Sequence, residues 1–115
     1  MKSLFLATLT FFVTQLAMAS DLRIMKFDGK STYTPSEEEK IQSISASNVD
    51  GTSIVTVITA STVCQILVSD VSEATSIVSA VSRNSILECY AREEAKRSEG
   101  RSQVLTREIR IIKGQ

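Results

Sequence analysis

Residues 51–89 read GTSIVTVITASTVCQILVSDVSEATSIVSAVSRNSILEC, and this stretch decides the fold. From Thr52 to Ser69 there is no charged side chain. Eleven of these residues are β-branched and eight are Ser, Thr or Gln, a composition that fits a sheet better than a lipid-facing helix. Ser53 to Thr59 places Ile54 and Ile58 on one face and Val55 and Val57 on the other, as expected of a central strand partly covered on each side. Upstream, Ile44 to Ser47 alternates with period two, and Asn48-Val49-Asp50-Gly51 supplies turn residues, so a β-hairpin is expected across Gly51. Val63 to Val68 reads as the next strand.

Asp70 stands three residues before Glu73, a helix-start signature. Val71, Ala74, Ile77, Val78 and Val81 then recur at intervals of three and four, which predicts an amphipathic helix ending near Arg83-Asn84 and lying on a sheet. Ser85 to Arg92 returns to strand spacing, with Leu87, Cys89 and Ala91 on one side.

Outward from this centre, Leu22 to Phe27 is expected to form a first short strand ending at the Asp28-Gly29 turn. Pro35 followed by Ser36-Glu37-Glu38-Glu39 resembles a capping box, which predicts a short helix to about Ser43. Glu93 to Arg101 reads as a hairpin connection with Ser98-Glu99-Gly100 near its tip. A last strand, Val104 to Ile112, is expected to turn Leu105, Ile109 and Ile111 inward and Thr106, Glu108 and Arg110 outward. Arg107 falls on the apolar side of that pattern, which calls for a rim position or a bulge. The expected architecture is α+β: one small domain with an antiparallel sheet of about five strands, one main helix packed on it, and one disulfide.

The N-terminus carries the three-part pattern of a secretory signal peptide: Lys2, an apolar run from Leu4 to Leu16, and small residues at Ala17 and Ala19. The apolar run falls short of the roughly 20 residues that span a bilayer. Residues 1–19 are therefore expected to be removed and 20–115 to form the mature domain. Position 20 is Ser rather than Cys, so a soluble periplasmic or secreted protein is expected, with no stable membrane insertion after cleavage. Two cysteines in such a compartment most simply pair, as Cys64–Cys89, and closing that loop stabilises by roughly 3–4 kcal/mol on the chain-entropy model. A redox role is disfavoured because no Cys-x-x-Cys or neighbouring base lowers a thiol pKa.

After residue 19 the aromatic residues are Phe27, Tyr33 and Tyr90, so the core must come from Val, Ile, Leu and Ala. The absence of histidine removes Ser-His and Cys-His nucleophilic sites and most zinc sites. Ser36 with Lys40, the carboxylates Glu37 to Glu39, and Glu93-Glu94 are the remaining catalytic candidates, each better read as solvated or capping charge. Asn48-x-Asp50-Gly51 resembles a fragment of a calcium loop, but Ala46 and Val57 stand where acidic ligands belong, so it reads as a turn. No glycine loop for phosphate is present, and the dense basic surface with stacking aromatics that nucleic acid requires is lacking.

Charge is segregated along the chain. Residues 20–82 carry 4 basic and 8 acidic side chains, and residues 83–115 carry 8 and 5. The expectation is a non-enzyme without cofactor or metal that binds another macromolecule, as an interaction, inhibitor or structural module of the cell envelope or extracellular space. Its expected contact surface is Arg92, Lys96, Arg97, Arg101, Arg107 and Arg110, facing a protein or an anionic envelope component. The alternatives are a small-ligand or lipid carrier and a small carboxylate- or Ser/Lys-dependent enzyme; self-association through the last strand, as an open edge, is a further expectation. Intact mass spectrometry of the exported protein should show a chain beginning at Ser20; retention of residues 1–19 or added acyl mass would contradict the signal-peptide reading.

Overall fold

The computed structural model describes residues 14–16, 20–81, 84–92 and 96–113. Most of the signal-peptide expectation, residues 1–13 and 17–19, lies outside them, as do Glu93, Glu94 and Arg83. In chain order the elements are β1 (Thr14–Leu16), β2 (Asp21–Phe27), β3 (Tyr33–Lys40), β4 (Ser43–Val49), β5 (Thr52–Ile58), β6 (Thr62–Val68), α1 (Val71–Ala80), β7 (Ser85–Ala91), β8 (Lys96–Ser98), β9 (Arg101–Thr106) and β10 (Glu108–Lys113). The α+β expectation holds in outline, with far more strand than helix. The single antiparallel sheet does not: the described residues form two sheets, ordered β1-β4-β5-β6-β9-β8 and β10-β7-β2-β3. Each contains one parallel pair, β6 with β9 and β2 with β7.

The β4–β5 hairpin forms as expected. Asp50 and Gly51 both take positive φ, 51° and 80°, the pair of left-handed residues whose twist matches two antiparallel strands. In-register pairing sets Ile44 and Ala46 beside Val57 and Val55, and these lie beside Cys64 and Ile66, with Val104 next to Cys64. All of these side chains are buried, so one face of the six-stranded sheet carries the core. The opposite face, with Ser45, Ile54, Thr56, Ile58 and Gln65, is half-buried, so β5 is a central strand with one face fully and the other partly covered, as expected.

Two elements share the buried face. Helix α1 packs against β4, β5 and β6 through Ala74 and Val78. Its N-cap is Asp70, whose Oδ1 accepts from the Glu73 amide at 2.8 Å, while Glu73 Oε1 accepts from the Ser69 amide at 2.8 Å. The buried stripe is narrower than its spacing suggested: Val71, in the first turn, is 56% exposed. Beside the helix lies the four-stranded sheet, whose Leu22, Ile24, Leu87, Cys89 and Ala91 join the same cluster. The Cys64–Cys89 disulfide links β6 to β7 and thus one sheet to the other.

Three local expectations are corrected. Tyr33–Lys40 is an edge strand, not a helix start, because Ser36 Oγ accepts from the Ile24 amide across a bulge instead of capping, and Asp21 and Lys40 form an ion pair at 3.3 Å. Pro35 is tolerated there because an edge strand can spare an amide. The last strand is really two. It leaves the six-stranded sheet after Thr106 and enters the other at Glu108, with Arg107 between, and this break resolves the anomaly at Arg107. Thr106 Oγ1 donates to Tyr90 O at 2.6 Å and accepts from the Glu108 amide at 3.0 Å, so it pins the corner. Side-chain alternation restarts there. Ile109 and Ile111 still face the core, but Leu105 is 62% exposed and Thr106 is buried, the reverse of the expected orientation. Finally, the expected hairpin of β7 with the last strand forms only through its second half, β10, and the connection before it holds a strand of its own, β8, which the Glu99-Gly100 turn joins to β9.

Replacing both cysteines with Ser should lower unfolding free energy by roughly 3 kcal/mol in urea titration, since the loop they close spans 25 positions. An unchanged midpoint would contradict a stapling role.

Candidate functional site

The outward face of the four-stranded sheet gathers the polar and aromatic side chains that the core excludes. Register places Arg110, Glu88, Arg23 and Glu38 in one row across β10, β7, β2 and β3, so charge alternates from strand to strand. Glu88 is buried and needs partners to be so. Arg23 Nη1 donates to its Oε2 at 2.7 Å and the Tyr90 hydroxyl donates to its Oε1 at 2.9 Å. The same guanidinium forks onto Glu38, through Nε at 2.7 Å and through Nη2. The Glu38 contact, with Glu88 adding to it, raises the Arg23 pKa further above its ordinary value. Donation to Glu88 and then burial raise the Tyr90 pKa, with Arg110 opposing.

Next to this row stand the three aromatic rings of the domain. Phe27 and Tyr33 are 5.4 Å apart between centroids, and Tyr33 meets Tyr90 edge-on at 5.1 Å. The exposed Arg92 guanidinium lies 5.4 Å from the Phe27 centroid and 5.8 Å from that of Tyr33, and its Nε is 3.4 Å from Glu108. The Tyr33 hydroxyl is enclosed and has no hydrogen-bond partner among the described residues. At the sheet corner an open groove of about 550 Å³ continues this surface, walled by Leu67 and Leu105 from one sheet, Tyr90, Arg92 and Glu108 from the other, and Arg107 between.

The six basic residues expected to form one contact surface fall into two groups. Arg92, Arg107 and Arg110 are exposed on or next to the aromatic face. Lys96 and Arg97 lie on β8, the far edge of the other sheet, where Arg97 donates to Gly100 O at 3.2 Å. Arg101 is half-buried and its Nε donates to Thr59 O at 3.1 Å, fastening β9 to the β5–β6 turn. The aromatic cluster was missed in the sequence because Phe27, Tyr33 and Tyr90 come from three strands that only the parallel β2–β7 pairing brings together.

A second cleft, about 240 Å³, opens between the sheets over Leu22, Ile24 and Val104, with Lys26, Glu37 and Glu39 on its rim. Glu39 is committed to structure: its two oxygens accept from Ser61 Oγ and Thr59 Oγ1, both at 2.6 Å. The Ser61 and then the Thr59 hydroxyl hold its pKa below the usual carboxylate range. Ser36 Oγ is bonded to backbone groups and Lys40 pairs with Asp21, so this Ser/Lys pair forms no nucleophile–base contact. Among the described residues no group of three or more His, Cys, Asp or Glu could hold a metal ion. Asn48 and Val49 end β4 and Asp50-Gly51 form the hairpin turn, with Asn48 Nδ2 donating to Ser53 Oγ at 3.2 Å. No described helix is long and apolar enough to cross a membrane.

Comparison with protein-family models, curated proteins and solved structures finds no match for this chain.

Two outcomes follow from these contacts. Arg23→Ala leaves Glu88 buried without its cation and should destabilise by roughly 3–5 kcal/mol, read by thermal or urea unfolding; a loss below 1 kcal/mol would show that the carboxylate escapes to water. Glu39 has a depressed folded-state pKa, so its stabilisation is present above the unfolded pKa and lost as pH falls through the folded value. Glu39→Gln should therefore cost about 1 kcal/mol at neutral pH, with the gap to wild type closing in acid; a gap independent of pH would remove Glu39 from the account.

Proposed function

We propose that this is an exported, non-catalytic protein that binds another protein through the outward face of the β10-β7-β2-β3 sheet. The observation that supports this most is the concentration of every aromatic residue after position 19 on that face, under the exposed Arg92. Tyr and Arg are the residue types that most often anchor protein interfaces, because they offer large contact area and directed hydrogen bonds. The Arg23–Glu88–Tyr90 network holds the platform rigid, which lowers the entropy lost on binding. The groove at the sheet corner, with exposed Leu105 beside Arg107, offers a place for an apolar side chain flanked by a carboxylate. Export is supported by the disulfide and by the N-terminal pattern of Lys2, an apolar run and Ala17-Met18-Ala19.

On this reading Lys96 and Arg97 are edge guards rather than contact residues, because charged side chains on an outer strand discourage stray pairing. The apolar floor of the 240 Å³ cleft supports a second reading, a small-ligand carrier, which a co-purifying ligand in native mass spectra would favour.

The test is affinity capture from extracts of the native source, comparing wild type with Arg92→Glu/Arg107→Glu and with Arg97→Glu/Arg101→Glu. A stoichiometric partner should bind the first variant at least ~10-fold more weakly, a difference of about 1.4 kcal/mol, and the second unchanged. Equal affinity for the first variant, or loss confined to the second, would overturn the assignment of the face.

A further inference from the structure

Sheet edges are open rows of backbone donors and acceptors, and three of the four here are guarded. β8 carries Lys96 and Arg97; β3 carries Pro35, Glu37 to Glu39 and Lys40; β10 carries Glu108, Arg110 and Lys113. The fourth edge is different. β4, SISASNV, has seven residues and neither a charge nor a proline. What covers it is β1, Thr14–Leu16, which pairs antiparallel with Ser43 to Ser45 and leaves Ala46 to Val49 beyond its reach. The covering strand belongs to the segment that the signal-peptide pattern assigns for removal, so cleavage after Ala19 would bare the whole of β4.

We propose that the β4 edge is a strand-acceptor site that β1 occupies before cleavage, and that its occupant in the mature protein is β4 of a second copy, giving a two-fold dimer with one sheet continuous across both chains. The inference rests on the export reading above and is independent of the aromatic face. Its support is on β4 itself. The edge already receives a strand in antiparallel orientation, the orientation a two-fold axis perpendicular to the sheet requires. A strand that pairs with itself must tolerate its own residues opposite, and a charge near the axis would meet its own copy. Centred on Ala46, the pair would set Ala46 against Ala46, Ser45 against Ser47 and Ser43 against Val49, which brings no like charges together and would cover Val49, 53% exposed in the single chain. The last strand, the edge first expected to self-associate, is instead the well-guarded β10.

The test uses the full-length gene, with the protein purified from the exported fraction. Intact mass gives the N-terminus, and light scattering at micromolar concentration gives the oligomeric state. A chain starting at Ser20 and twice the monomer mass supports the proposal; a monomer starting at Ser20 overturns it. Retention of residues 1–19 would overturn the export premise, a failure distinct from that of the edge. In the Ser45→Lys/Ser47→Lys variant both lysines project from the half-buried outer face, so the fold should keep its melting temperature. That variant should be monomeric, with dimerisation weakened at least tenfold. A variant that still dimerises as wild type does would place the contact elsewhere.

Discussion

The fold depends on one crowded surface: the face of the six-stranded sheet formed by Ile44, Ala46, Val55, Val57, Cys64, Ile66 and Val104. Helix α1 takes the β4–β5 side of it and the second sheet takes the side near β6 and β9. The Cys64–Cys89 bond stands at the junction. Because both covering layers share one face, the other side of each sheet has no second layer over it among the described residues. A chain with a small, aromatic-poor core obtains a continuous interior this way, and a covalent tie matters more when that interior is small.

The same arrangement explains where the polar chemistry lies. With aliphatic side chains filling the interior, the three rings, Arg23, Glu88 and Arg92 are displaced to the outward face of the four-stranded sheet. Glu88 is buried there only because Arg23 and Tyr90 answer both of its oxygens. The result is a surface on which Arg23, Glu38, Glu88 and Tyr90 are tied to one another by hydrogen bonds and ion pairs.

Elements set by local rules were readable from the sequence. Asp50-Gly51 specified the β4–β5 turn, Asp70 with Glu73 started the helix, and alternation in Leu87, Cys89 and Ala91 gave the correct inward side of β7. Elements set by distant partners were not. The Ser36 to Glu39 pattern satisfies a capping rule, yet Arg23 and the Ile24 amide, more than ten positions away, claim those side chains for a strand. The run from Val104 to Ile112 looks continuous because nothing local marks Arg107 as a corner; the mark is Thr106 bonding to Tyr90 O, a contact that exists only once β7 is in place. The two parallel pairings have no short-range signature at all, and they are what turned one expected sheet into two. The aromatic face is a product of one of them, so it could not be read ahead of the fold.

The claim that the sheets are held together at Cys64–Cys89 is tested most directly by amide hydrogen exchange on the oxidised and the reduced protein under native conditions. Reduction should speed exchange at the amides of β6, β7 and β9 around the bond, while the β4–β5 hairpin under α1 keeps its protection. Identical protection in the two states, or a uniform loss over the whole chain with no focus at those strands, would contradict the account.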